Sequence, residues 1–264
     1  MSEVTSPQNL DPLTVLRANS GDYCQPSEES IAALSQTDLV LVSGQFVGAG
    51  KSMLIESLAS DGYANIASWT NRDLRPGEIE GIDKCHRSLD MMAERAIAGF
   101  FLELEEIRPG KFYATPTDFD PNKRYVKDLE LKGALKLREM APQIPIIVPL
   151  PPIRQSNRHV TEWERRVVDR EHYKQGLQDT AIDDLEARLE GVIDEACRIN
   201  TAKLIEDPHT LFVVNDNRAE TIRATRAFLE TGKRDPGVDV ELHIEDMAML
   251  ALDAVTHDSP CLWL

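Results

Sequence analysis

The sequence lacks an excess of basic residues. Its 29 lysines and arginines are outnumbered by 45 acidic residues, and the formal net charge is −16. A protein that coats nucleic acid needs a positively charged surface to displace counterions from the phosphate backbone. The composition therefore argues against nucleic acid as a partner. A small anionic ligand is still compatible with it, because a few basic side chains in one cleft outweigh the net charge at short range.

Cysteine pairs and long apolar runs are also missing. The four cysteines, Cys24, Cys85, Cys197 and Cys261, form no C-x-x-C pair. This argues against a zinc site or a disulfide framework and indicates reduced thiols. No apolar run has the length of a membrane span, and residues 1–19 do not resemble a secretory signal. We expect a cytoplasmic protein without membrane contact, and the sequence leaves its oligomeric state open.

The remaining composition, 42% apolar and 28% charged residues, is that of a globular protein. An apolar run over 38–43 predicts a buried parallel strand, and further strands are predicted over 64–70, 124–131, 144–150 and 211–214. Predicted helices cover 88–99, 133–140, 163–199 and 218–230. Because strands alternate with helices, we expect an α/β fold with a parallel sheet covered on both faces.

The two ends of the chain do not follow this alternation. We expect residues 1–36 to form an N-terminal extension, with two short helices packed loosely on the main body. The main domain is predicted over 37–232. Residues 233–264 are predicted to be a C-terminal extension, in which a strand-like piece from 238 precedes an apolar helix over 247–255.

A glycine-rich loop between the first strand and the next helix is the strongest local motif. The predicted ATP-binding residues are Gly44, Gln45, Phe46, Val47, Gly48, Ala49, Gly50, Lys51 and Ser52. Backbone N–H groups of such a loop form a nest for phosphate oxygens, and the following helix points its positive end at the same place. Lys51 would neutralise the β- and γ-phosphates, and the Ser52 hydroxyl would bind Mg²⁺. The motif usually begins with a glycine at the position that Gln45 occupies here. In this chain the glycine lies one residue earlier, at Gly44.

A second motif follows between residues 68 and 83. Arg72 and Arg75 lie three residues apart beside serine, threonine and a Pro-Gly turn. Guanidinium groups bind phosphate through paired hydrogen bonds, so the motif favours an anion clamp. The alternative interpretation is a surface loop of mixed charge.

This run resembles the S-x-T-T-R-x-P-R-x-G-E-x-D-G-x-D segment of guanylate kinases, with Asn71 in place of the second threonine and Lys84 in place of the tyrosine that follows. Later segments of the chain also resemble that family, in the same order. The resemblance implies a P-loop three-layer sandwich with a parallel core sheet, an NMP-binding insert over about 68–118 and a helical lid over about 153–185.

The resemblance also implies a GMP site. Its residues would be Ser68, Arg72, Arg75, Lys84, Glu103, Tyr113, Thr115 and Asp128. The serine, the arginines and Tyr113 would hold the acceptor phosphate. Glu103 would accept hydrogen bonds from the guanine N1–H and 2-amino groups, and Thr115 would bind the base edge. The alternative for Glu103 is a solvated glutamate in an acidic stretch.

Further segments complete the resemblance. V-K-D-L-E-L-K-G-A, residues 126–134, resembles the family's L-D-I-D-x-Q-G-A, and Asp128 would face acceptor and metal. Arg166, Arg170 and Arg188 would close over the triphosphate from the lid, or would instead form ion pairs along a solvated helix. Asn215 would lie near the adenine or ribose of ATP.

The predicted reaction is Mg²⁺-dependent phosphoryl transfer from ATP to a nucleoside monophosphate, with GMP as the acceptor and Lys51, Asp128 and the lid arginines as catalytic residues. One alternative is a P-loop kinase with another small phosphorylated or hydroxylated acceptor, which Lys84, the short segment between Thr115 and Asp128 and the long lid motivate. A second is a non-catalytic guanylate-kinase-like binding module, although Lys51 and Ser52 are intact.

Overall fold

The computed structural model describes residues 11–44, 46, 48–120, 122–152, 190–199, 203–234 and 239–256 of the 264-residue chain. Its elements are α1 (Pro12–Ala18), a 3₁₀ turn (Gly21–Tyr23), α2 (Glu28–Ser35), β1 (Asp38–Ser43), α3 (Lys51–Ser60), β2 (Tyr63–Asn65), β3 (Ser68–Thr70), β4 (Lys84–His86), α4 (Leu89–Ile97), β5 (Phe101–Arg108), β6 (Lys111–Pro116), β7 (Arg124–Leu129), α5 (Leu131–Met140), β8 (Ile146–Leu150), α6 (190–199), β9 (Thr210–Val214), α7 (Arg218–Thr231) and α8 (Val240–Thr256).

A parallel sheet with the strand order β2-β7-β1-β8-β9 is the main sheet of the fold. Leu41 of β1 pairs with Ile146 of β8, and Ile147 pairs with Leu211 of β9, all in parallel register. Every residue of β8 is buried, as expected for a strand whose two faces are both covered. The predicted α/β fold with a parallel core sheet is confirmed.

The described chain divides into two compact units, and β1, β7 and α5 have residues in both. The first unit contains the described residues within 1–39, 61–127 and 135–144. The second contains those within 40–60, 128–134 and from 145 onward.

A four-stranded sheet with the order β4-β3-β6-β5 lies in the first unit. β3 pairs with β4 in parallel and with β6 in antiparallel register, and β5 and β6 form an antiparallel hairpin. The single strand predicted over 64–70 is wrong, because β2 pairs with β7 whereas β3 joins this second sheet. Sequence pattern marks a run as extended, but it does not determine which strand supplies the hydrogen-bond partners.

The N-terminal residues are part of the core of the first unit. Val15, Leu16 and Cys24 are buried in one apolar cluster with α4, β5 and β6, and burial raises the pKa of the Cys24 thiol to about 11. Arg17 of α1 donates to Glu106 of β5 at 2.9 Å. The expectation of loose packing is therefore wrong for residues 11–36.

Replacing Leu16 with alanine tests this packing. Leu16 is fully buried, so we expect the free energy of unfolding to fall by about 2–4 kcal/mol, measured by urea denaturation. Ile97→Ala on α4 is the matched control, because Ile97 is 55% exposed and its loss should change stability by less than about 1 kcal/mol. If both substitutions changed the free energy of unfolding equally and only slightly, residues 11–36 would be a loosely packed extension after all.

The C-terminal part of the described chain is one helix, α8, which begins at Val240. The Asp239 carboxylate accepts a hydrogen bond from the Leu242 N–H at 3.1 Å and caps its first turn. The strand-like piece predicted before residue 247 is therefore wrong over residues 240–246. Within the described ranges, no helix combines the length and the apolar character that crossing a membrane requires.

Candidate functional site

The glycine-rich loop of the second unit connects buried strand β1 to helix α3, which begins at Lys51. Phe46 and Ala49 are buried, and the Ala49 N–H donates to the Phe46 carbonyl at 3.3 Å. Gly44 has φ +123°, a backbone conformation that a side chain disfavours. The backbone at residue 44 therefore requires glycine, although this position lies one residue before the usual first glycine of the motif.

Asn215, after β9, supports this loop from within the second unit. Its side-chain amide donates to the Ala49 carbonyl at 2.9 Å, and the residue is buried. A Cβ on Gly50 would lie 2.1 Å from the Asn215 amide nitrogen, so only glycine fits there. The structure thus locates Asn215 against the phosphate loop, and its predicted contact with adenine or ribose remains a prediction.

Lys51 lies at the start of α3 with its ammonium group directed back to the loop. It donates to the Gly44 carbonyl and lies 3.7 Å from the Asp128 carboxylate. Both side chains are partly exposed, and Ser52 beside them is exposed. The predicted Lys51, Ser52 and Asp128 therefore belong to one unit, and a cation and a carboxylate lie beside the phosphate loop.

Arg72 is held by a carboxylate in the first unit. Its guanidinium donates to both oxygens of Glu78, at 2.6 and 2.7 Å, and its Nε donates to the Tyr113 hydroxyl. The Glu78 hydrogen bonds raise the pKa of Arg72, and the same contact lowers the pKa of Glu78. Arg72 is thereby oriented beside Tyr113, whereas Arg75 is exposed and its backbone N–H donates to Glu78 at 2.8 Å.

Glu103 lies on β5 directly opposite Thr115 of β6. Its side chain is 7% exposed, and its carboxylate accepts a hydrogen bond from the Thr115 hydroxyl at 2.9 Å. The alternative of a solvated glutamate is therefore wrong. A buried carboxylate held by a hydroxyl is a directed hydrogen-bond acceptor.

A lysine that the sequence analysis did not select lies beside the predicted phosphate-binding residues. Lys127 of β7 is 1% exposed, and its ammonium group donates to the Ile66 carbonyl at 3.0 Å and to the Ser68 hydroxyl. Lys84 donates to the same hydroxyl at 3.3 Å and lies 5.4 Å from the centre of the Tyr113 ring. Lys127 is one of three charged residues in β7, with Arg124 and Asp128, so the sequence does not single it out.

Several predicted site residues lie outside the described residues. They are Gln45 and Val47 of the loop and the lid arginines Arg166, Arg170 and Arg188. Among the residues that the structure does describe, no group of three or more histidine, cysteine or acidic side chains forms a metal site.

A glycine-rich loop between a buried parallel strand and a helix, in an α/β fold, defines the class of P-loop nucleotide-binding proteins. No family model matches the chain. Among curated proteins, guanylate kinase of Rubrobacter xylanophilus is 33% identical over 161 residues, which cover 58% of this chain and 81% of that protein. Guanylate kinase of Haemophilus influenzae is 28% identical over 207 residues, 75% of this chain and 89% of that protein.

This chain therefore belongs to the guanylate kinase family. A crystal structure of guanylate kinase from Anaplasma phagocytophilum also matches, with a TM-score of 0.49 and 21% sequence identity, and covers 83% of this chain and 94% of that one.

The Arg72–Glu78 pair gives a pH-dependent prediction. The folded-state pKa of Glu78 is depressed, so its ionised form stabilises the fold above the unfolded-state pKa of about 4.3, and this contribution is lost as the pH falls through the lower folded-state value. We expect Glu78→Gln to lower the free energy of unfolding by about 1–2 kcal/mol at pH 7, and by much less near pH 3.

Urea denaturation at the two pH values measures this difference. Glu80→Gln is the matched control, since Glu80 forms an ion pair with Arg87 in the same segment but is about half exposed. Its replacement should cost roughly 0.5 kcal/mol or less at either pH. A loss for Glu78→Gln that is the same at pH 3 and pH 7 would contradict the assigned ion pair.

Proposed function

We propose that this protein transfers the γ-phosphoryl group of ATP to GMP, which yields GDP and ADP. The observation that carries the proposal is the buried Glu103 carboxylate, which the Thr115 hydroxyl orients. Glu103 lies on the same four-stranded sheet as Ser68, a proposed ligand of the acceptor phosphate. Guanine offers two adjacent donors, N1–H and the 2-amino group, and a fixed carboxylate pairs with both. Adenine has no such pair, so it would not form these two hydrogen bonds with the Glu103 carboxylate.

The phosphate loop is the proposed ATP site. Backbone amides of residues 44–51 and the N-terminus of α3 would hold the triphosphate, and Lys51 would neutralise its terminal phosphates. Binding requires Lys51 to exchange its contact with the Gly44 carbonyl for phosphate oxygens. Asn215 keeps the loop in shape through its hydrogen bond to Ala49.

Mg²⁺ fits the residues at the start of α3. This ion keeps most of its waters and prefers phosphate oxygens with one or two protein oxygens, so it needs no cluster of carboxylates. The exposed Ser52 hydroxyl would be its protein ligand. Bound with ATP, the ion would supply charge neutralisation of the phosphates.

The acceptor phosphate is assigned to the first unit. Ser68, Lys84 and Tyr113, with Arg72 and Arg75, would hold it. Asp128, near the end of β7, belongs to the second unit and keeps the role towards acceptor and metal that the resemblance implies. Glu78, Tyr113 and the Asp73 carbonyl already hold the Arg72 guanidinium, so a phosphate would meet a group that is fixed in place and would use its remaining Nη2 donor. We propose residues 68–118 as the acceptor-binding insert on this basis.

The chemical step breaks the bond between the γ-phosphorus and its bridging oxygen and forms a bond to an oxygen of the acceptor phosphate. The reaction needs alignment and neutralisation of charge more than acid–base chemistry. We assign charge neutralisation to Lys51 and to Arg166, Arg170 and Arg188 of the proposed lid. Lid closure would exclude water, so that ATP hydrolysis does not compete with transfer.

An acceptor panel tests the proposal. The protein is mixed with ATP, Mg²⁺ and one of GMP, dGMP, AMP, CMP or UMP, and the products are separated by chromatography. We expect GMP to be phosphorylated with the highest kcat/KM, by a factor of at least about 100 over AMP. A preference for AMP, CMP or UMP would refute the guanine assignment.

A second candidate is a P-loop kinase for another small phosphorylated acceptor. The observation that favours it is that two lysines, Lys84 and Lys127, donate to the Ser68 hydroxyl. They give the proposed acceptor site more positive charge than its arginines alone would. Phosphorylation of a sugar phosphate in the same assay, with GMP unchanged, would select this candidate.

A further inference from the structure

The Ser68 hydroxyl receives two hydrogen bonds from cations. Lys127 and Lys84, from β7 and β4, both donate to its oxygen, the latter at 3.3 Å. The direction of both bonds is fixed, because an ammonium group has donors only. Ser68 is 5% exposed and Lys127 is 1% exposed, so the Lys127–Ser68 contact is shielded from water.

This arrangement limits what the hydroxyl can do. A serine hydroxyl has two lone pairs and one proton. The two ammonium groups occupy both lone pairs, so Ser68 can act towards a further group only as a donor. Among the described residues, none accepts the Ser68 proton. The site therefore favours a ligand that presents an unprotonated oxygen to Ser68.

The charges around the hydroxyl favour an anion as that ligand. Two ammonium groups within hydrogen-bond reach of one oxygen are no more than about 7 Å apart, so they repel each other and both attract a negative group. Arg72 adds a third cation beside Tyr113, and Glu78 supplies one carboxylate. Lys84 stands at the position of the tyrosine in the resembled motif.

We propose that Lys127 is a positioning residue of the acceptor site, which fixes the Ser68 hydroxyl as a donor to a dianionic phosphate monoester. The proposal rests on the proposed function in that the acceptor is a nucleoside monophosphate. Lys127 acts through Ser68, and Lys84 occupies the other lone pair of the same hydroxyl oxygen.

A structural role makes a different prediction. Lys127 also donates a hydrogen bond to the Ile66 carbonyl. If its only role were to connect β7 to that segment, its loss would weaken the binding of GMP and of guanosine equally. Comparing GMP with guanosine separates the two roles, because guanosine keeps the base and ribose but lacks the phosphate.

The experiment measures binding of GMP and of guanosine, without ATP, to the wild-type protein, Lys127→Met, Ser68→Ala and the double variant by NMR titration, which reports weak binding. We expect Lys127→Met to weaken the affinity for GMP about tenfold and to leave the affinity for guanosine within about twofold of wild type. Lys127→Arg should recover part of the GMP affinity, since it retains the charge and the donor. The double variant should bind GMP about as well as the weaker single variant, because Lys127 acts through Ser68. Equal weakening of GMP and guanosine, or no weakening of either, would overturn the proposal.

Two further measurements keep the outcome readable. If Lys127→Met does not fold, Lys84→Met is measured in its place. It should weaken the affinity for GMP but not for guanosine, and an equal loss of both affinities would overturn the proposal. If the wild-type protein binds neither GMP nor guanosine, the proposed function fails, and inorganic phosphate is then titrated into Lys51→Met protein, which lacks the cation of the phosphate loop. Weaker phosphate binding when Lys127 or Lys84 is also replaced would support the lysine pair independently of guanine, and unchanged phosphate binding would overturn it.

Discussion

Replacing Lys51 with methionine is expected to lower kcat for GMP phosphorylation by on the order of 10²- to 10³-fold. The physical reason is that negative charge on the transferring group must be neutralised during transfer, and Lys51 is the cation that the phosphate loop itself carries. Folding should be almost unaffected, because the Lys51–Asp128 ion pair is 3.7 Å long and partly exposed.

Steady-state kinetics and thermal unfolding on the same samples make the comparison. Lys123→Met is the matched control, since Lys123 forms an exposed ion pair of 3.7 Å with Asp120. The control should retain wild-type kcat and a similar Tm. A Lys51→Met protein with kcat within about threefold of wild type would remove Lys51 from the proposed chemistry.

Replacing Glu103 with glutamine is expected to lower kcat/KM for GMP by at least about 100-fold. Glutamine has nearly the same shape, but its NH₂ group would replace one carboxylate oxygen and would face one of the two guanine donors, donor against donor. Since Glu103 is buried, water does not replace the lost partner. The preference for GMP over AMP should shrink by a similar factor.

Glu106→Gln provides the control on the same strand. It removes the same charge, but the Glu106 carboxylate is bound to Arg17 at 2.9 Å and takes no part in the proposed base contact. We expect kcat/KM for GMP to stay within about twofold of wild type in this variant. An equal loss in both variants would mean that the general negative charge of β5 matters rather than a specific contact to guanine.

The elements that short-range patterns define were predicted well. β1, the phosphate loop and α3 follow one another within 23 residues, from 38 to 60, and each has a local cause: an apolar run, glycines and helical spacing. β8 and β9 were found for the same reason, because strands buried on both faces are continuously apolar.

The parts that sequence reasoning missed depend on distant partners. Nothing in residues 11–36 indicates that Leu16 and Cys24 pack against α4, β5 and β6, because their partners lie about 70 to 100 residues further along the chain. The division of the predicted strand over 64–70 into β2 and β3 has the same cause, since the two halves pair with different sheets.

The candidate site shows the same division. The loop lysine was predicted from spacing, and the arginine motif from spacing together with that loop and the family resemblance. The burial of Glu103 became visible only in the structure, where β6 brings Thr115 opposite it. Lys127 was missed because its importance comes from Ser68, which lies 59 residues earlier in the chain. The charged neighbours of Lys127 in β7, Arg124 and Asp128, give no local sign that Lys127 alone is fully buried.

The central proposal is that one chain binds ATP and a nucleoside monophosphate at the same time and transfers the γ-phosphoryl group from one to the other. Guanosine and adenosine joined 5′ to 5′ through four, five or six phosphates test it, because a linker of the right length makes the second binding event intramolecular. We expect at least one compound of the series to bind, in isothermal titration calorimetry, about 100-fold or more tightly than either ATP or GMP. Binding of every linked compound no tighter than the better of the two nucleotides would contradict the account.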